Sequence, residues 1–138
     1  MTLDEQLARE ALELVGIPFR LHGRDPRTGL DCVGLVACSL ARMGRAVRAP
    51  EGYALRNSRI AQYLSFAERN GLTESGEKPS KGTVLLVKAG PAQHHLLIAT
   101  GRCSFVHAHA GLRQVVEQHG PIDWPIEKQW RLRPHNEE

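Results

Sequence analysis

The hydrophobic spacing of this chain changes period once, near Lys78–Gly82. Before that turn, apolar residues recur three and four positions apart; after it they fall in short blocks cut by glycines. Thr2 and Glu5 form a capping-box pattern, and Leu3, Leu7, Leu12, Leu14 and Val15 supply an apolar face. This predicts a helix over 3–15, ended by Gly16 and Pro18. Leu35, Val36, Leu40 and Met43 predict a second helix over 32–43, stopped by Gly44. "SRIAQYLSFAERNG" predicts a third, with Ser58 near its cap and Gly71 after its end. Residues 17–31 read as a loop rich in Gly, Pro, Arg and Asp, and 45–57 as irregular. Past the turn, "TVLLVKAG" predicts a strand, residues 94–118 predict three short strands turning at Gly101 and Gly111, and "QWRLRP" predicts a last one. Helices first and strands later describe an α+β fold, with helices packed on an antiparallel sheet.

The 138 residues suit one domain spanning 1–138, with 132–138 expected as a loose tail. Composition is that of a soluble globular protein, 41% hydrophobic and 24% charged. No apolar run approaches the ~18 residues of a membrane span, so no membrane insertion is expected. "MTLDEQLAREALELVG" is charged and amphipathic, unlike a secretory signal. The chain is expected to be cytoplasmic as synthesised, or exported by a route it does not encode. Net charge is +3, and Arg42, Arg45 and Arg48 read as a solvated helix end and loop. No basic stripe with interleaved aromatics points to nucleic acid. Three cysteines without a CxxC form neither a disulfide framework nor a zinc knuckle, which favours a reducing compartment.

One cysteine has a position that chemistry can use. Cys32 follows Gly-Leu-Asp and opens the second helix, where a partial positive charge and unsatisfied N–H groups favour thiolate and can receive an oxyanion. On position alone, a cysteine on an amphipathic helix is more often a small core residue. Cys38 and Cys103 have apolar neighbours and read as structural. A nucleophilic thiol needs a base and a group to orient that base. A loop at Thr100-Gly101-Arg102 would pair Ala99 with Cys103, and therefore His95 with His107, on one face of a hairpin. One imidazole can then hold the tautomer of the other. His109 shares the strand parity of His107 and reads as a residue of the site rim, whereas His94 should face away from His95. Cys32, His95, His107 and His109 match no standard zinc spacing, so no metal is expected.

Two stretches, "ALELVGIPFRLHGRDPRTGLDCVGLV" and "HLLIATGRCSFVHAHAGLRQV", together resemble the NlpC family of papain-like cell-wall cysteine peptidases. The family pattern is V-G-x-P-Y, a glycine-rich loop, D-C-S-G-L at a helix start, then H-x-x-I-x-x-G and F-I-H-A. The resemblance implies a papain-like fold with Cys32 as nucleophile, His95 as general base and His107 as the residue orienting it. It implies that Asp31 helps bind a free amino end of a peptidoglycan stem, and that no metal or organic cofactor takes part. The reaction implied is hydrolysis of stem-peptide amides, often between D-glutamate and diaminopimelate. The sequence departs from the pattern at Phe19 (tyrosine in the family), Val33 (serine) and Thr83 (aspartate). Asp31, Phe19, Val33 and His109 are thus the expected substrate-binding positions. The D-C-x-G-L form resembles the branch found among phage tail and gene-transfer-agent proteins, which implies tail proteins as partners and a place in a virion-like particle. Two other readings use the same fold: a tail assembly protein without turnover, suggested by Phe19 and Val33, and an intracellular amidase or acyltransferase using the same three residues.

Overall fold

The computed structural model describes residues 1–48, 60–91 and 93–133. Helix α1 spans Leu3–Glu13, two residues shorter than expected, and the capping box at Thr2 and Glu5 forms with both of its bonds. Its buried face is Leu7, Ala8 and Ala11. Two short strands inside the 17–31 segment, β1 (Arg24–Asp25) and β2 (Gly29–Leu30), pair with each other and bring the chain to α2 (Cys32–Arg42). This central helix is almost wholly apolar and almost wholly buried. Helix α3 spans Ala61–Arg69 and buries Tyr63, Phe66 and Ala67; the expected cap at Ser58 lies outside the described residues, as does most of the 45–57 stretch.

The second half builds one antiparallel sheet. Its strands are β3 (Leu72–Glu74), β4 (Val84–Gly90), β5 (Gln93–Ala99), β6 (Ser104–His109), β7 (Gln114–His119) and β8 (Ile126–Leu132). They lie in the order β3-β8-β4-β5-β6-β7. The expected helices-on-sheet architecture is therefore present. The last strand returns to lie between β3 and β4, burying Trp130 against the helices. The expected loose tail starts too early: Leu132 is a buried strand residue and Arg133 N–H donates to the Gly71 carbonyl. Residues 134–138 lie outside the described residues. Strand alternation divides β4 and β5 cleanly. Val84, Leu86, Leu96 and Ile98 face the helices, while Leu85, Val87, Leu97 and Ala99 form a second apolar layer with Phe105 under Ile122 and Trp124.

The β5–β6 hairpin differs from expectation in register. Ala99 pairs with Phe105, not Cys103, and Thr100 N–H donates to the Ser104 carbonyl, so the loop is Gly101-Arg102-Cys103. Cys103 is consequently an exposed loop residue, not a structural residue in apolar company. The slip is two residues, and side chains on a strand repeat every two, so His95 and His107 still share a face. No described helix is long and apolar enough to cross a membrane.

Candidate active site

Residues 20–31 fold into the collar that holds the start of α2. Asp31 caps the helix: one carboxylate oxygen accepts from Gly34 N–H at 2.8 Å and from Arg24 Nη1 at 2.9 Å, the other from His22 N–H at 2.8 Å. The collar sits so close that a Cβ on Gly34 would come within 2.0 Å of the Gly23 carbonyl oxygen. Glycine at that position is a packing requirement of the Asp-Cys-x-Gly turn. Asp31 is only 2% exposed, so a ligand amine would meet an acid already paired with a guanidinium.

The ladder between β5 and β6 explains how Cys32 reaches the histidines. Among the described residues it covers Ile98↔Val106 and Ala99↔Phe105, then the strands part. By the alternation of an antiparallel ladder, Leu96 N–H would be the next donor to β6. It donates instead to the Cys32 thiol. The opening between the strands forms a pocket of about 190 Å³, walled by Cys32, His95, His107 and His109, with Phe19, Tyr63 and Trp124 around them. His95 Nε2 lies 3.0 Å from His107 Nδ1, and His107 Nε2 lies 3.0 Å from Gln118 Oε1. The Trp124 ring stands edge-on to both imidazoles, 6.0 Å from each centroid, and screens their pairing from water. His109 tilts against His107 with ring centroids 5.4 Å apart, and its Nδ1 accepts from Leu112 N–H.

Electrostatics in this pocket oppose the simple expectation for a helix-start thiol. Burial pushes Cys32 up to about 12, and the Asp31 charge adds to the rise. The Leu96 and Val33 N–H groups and Arg24 pull the other way without prevailing. Burial, with the neighbouring His107 and His109, pushes His95 down to about 3. His107 is also lowered by burial, against the hydrogen bond it donates to the Gln118 side-chain oxygen. The resting pair is therefore a thiol facing a neutral imidazole, and the expected thiolate is not stored in the ground state.

The other expected positions divide. Phe19 and His109 line the pocket, and Asp31 reaches its wall. Val33 does not: at the second position of α2 it points into the core and is fully buried, so it makes no substrate contact. His94 turns from His95 as expected and directs Nε2 to Glu127 Oε1 at 3.4 Å, yet part of it touches the same pocket. Thr83 accepts from Ser80 N–H and so closes the turn before β4. Sequence reading missed Tyr63, Trp124 and Gln118. Of these, Gln118 lies opposite Phe105 in the β6–β7 register, which puts it on the face of His107. Tyr63 brings a phenol to the pocket where Phe19 brings none, and burial first, then Cys32, raises its ionisation above the ordinary value.

A family profile described as "NlpC/P60 family" matches residues 16–130. Solved structures are similar in fold. NlpC2 from Trichomonas vaginalis aligns with a TM-score of 0.69 and 18% identity over 94% of this chain and 46% of its own. The NlpC/p60 domain of the peptidoglycan hydrolase SagA aligns with a TM-score of 0.57 and 22% identity over 86% and 90%. The P60 domain of an antigen from M. avium subspecies paratuberculosis aligns with a TM-score of 0.60 and 19% identity over 93% of each chain. This chain spans less than half the length of the Trichomonas protein. A search of curated proteins found no match.

Proposed function

The chain belongs to the NlpC/P60 family, and from that premise we propose that it is a cysteine peptidase cleaving amide bonds in peptidoglycan stem peptides. Its α+β, papain-like fold is that of the family, whose members are typically cell-wall peptidoglycan hydrolases. The observation that carries the reading is the convergence of Cys32 and His95 on one pocket, with His107 bonded to the far nitrogen of His95.

That geometry supports the following order of steps. His95 Nε2 is engaged by His107, which leaves Nδ1 to take the Cys32 proton as sulfur attacks the amide carbon. The proton moves during attack, because thiol and imidazole are both neutral at rest. The N–H of Cys32, at the first helical position, has no intrahelical acceptor and faces the developing oxyanion. His95 then gives its proton to the departing amine. A water molecule, deprotonated by the same nitrogen, cleaves the thioester and restores the thiol. Phe19 and His109 contact the substrate from the pocket walls. Asp31 meets its amino end together with Arg24, as an acid–base pair. No cofactor is required by these steps.

The bond cut in this reading is the D-glutamyl–diaminopimelate amide, and the setting is a phage or gene-transfer-agent tail, the branch that the D-C-x-G-L form resembles. Purified muropeptides incubated with the protein should yield fragments ending in D-glutamate, identified by mass spectrometry. The Cys32→Ser protein should yield none. Cleavage at another bond overturns the substrate assignment, and equal cleavage by the Cys32→Ser protein overturns the mechanism.

A further inference from the structure

The hydrogen-bonded chain behind Cys32 does not end at His107. His107 is almost completely buried, and its Nε2 meets the side-chain oxygen of Gln118, a residue of edge strand β7 whose body is exposed. An amide oxygen only accepts, so His107 must carry its proton on Nε2. A neutral imidazole has one N–H, so His107 Nδ1 is a bare lone pair. The 3.0 Å contact there requires His95 Nε2 to donate. His95 Nδ1 is then unprotonated, and it is the one ring nitrogen of His95 left to accept a proton from Cys32. Reversing the amide would move every proton one place along the chain and leave His95 protonated at Nδ1, unable to act as a base.

We propose that Gln118 is a positioning residue that fixes the reactive tautomer of His95 through His107. The proposal rests on the reading of Cys32 and His95 as nucleophile and base. The neutrality of both imidazoles, imposed by burial, is what makes the tautomer a real choice. An imidazole held in the wrong tautomer loses base catalysis even when its position is unchanged, by up to about 10⁴-fold in the serine-protease case.

Two substitutions separate the acceptor role from bulk. Gln118→Glu keeps an acceptor oxygen, and Gln118→Met keeps length but accepts no comparable bond. Gln118→Met should lower kcat roughly tenfold or more, with KM little changed. Gln118→Glu should retain kcat and shift the acid limb of the pH profile upward, because its carboxylate favours a protonated His107. Nitrogen-15 spectra of histidine-labelled protein should show His95 protonated at Nε2 in the wild type and a tautomer mixture in Gln118→Met. Because Gln118 is exposed, both variants should melt near the wild type. Full kcat in Gln118→Met, loss in Gln118→Glu as large as in Gln118→Met, or wild-type His95 protonated at Nδ1 would each overturn the proposal. If no variant and no wild type cleaves any stem peptide, the functional reading fails, while the spectra still decide the tautomer.

Discussion

At the scale of single residues, the site is a balance between burial and local charge. Cys32 sits where a helix dipole favours thiolate, yet desolvation and Asp31 outweigh it. Asp31→Asn should keep the Gly34 cap, remove one negative charge and lower the thiol from about 12. The pH dependence of iodoacetamide labelling checks this; an unchanged or higher thiol ionisation would contradict it. Burial of neutral His95 has a consequence for stability. Its ionisation is pushed from the ordinary imidazole value of about 6.5 to about 3 in the fold, so below about 6.5 the unfolded chain binds a proton that the folded chain refuses. Stability should therefore be full above about 6.5 and fall as pH drops toward about 3. Denaturant midpoints across that window should fall less steeply in His95→Gln than in the wild type. Cys32, His95 and His107 were legible in the sequence because a motif and strand parity mark them. The three donors on Asp31 were not, since they come from a collar whose fold depends on contacts nine residues apart or fewer but has no periodic signal.

At the scale of elements, two local rules decide the geometry. The first is the period of two along a strand. It preserved the His95–His107 contact through a two-residue error in hairpin register, and a one-residue error would have destroyed it. The short β5–β6 ladder was beyond reach of the sequence, because nothing in residues 93–109 announces where paired strands part. That parting supplies both the pocket and the Leu96 N–H for the thiol. The second rule is close approach at the start of α2. Gly34→Ala places a methyl within 2.0 Å of the Gly23 oxygen and should destabilise the protein by roughly 1–3 kcal/mol. It should also reduce activity by tilting the first turn that carries Cys32. Thermal melting and peptide cleavage check the two effects; a variant with wild-type melting would show that the collar yields freely.

At the scale of the whole molecule, the order of helices and strands was readable from the change of hydrophobic period, and so was the layering. The insertion of β8 between β3 and β4 was not, because pairing alone joins β8 to β3 across more than fifty residues and to β4 across about forty. That insertion closes the helix-facing core with Trp130 and Leu132. Trp130→Ala should cost about 3–5 kcal/mol, read from the denaturant midpoint, while leaving the pocket residues in place. A change below about 1 kcal/mol would mean that β8 is dispensable to the core. The central claim, that Cys32 is the nucleophile of this pocket, has its most direct test in covalent capture. A stem peptide ending in an acyloxymethyl ketone should modify Cys32 in the intact protein, located by peptide mapping, and spare exposed Cys103. Modification of Cys103 with Cys32 untouched would contradict the account.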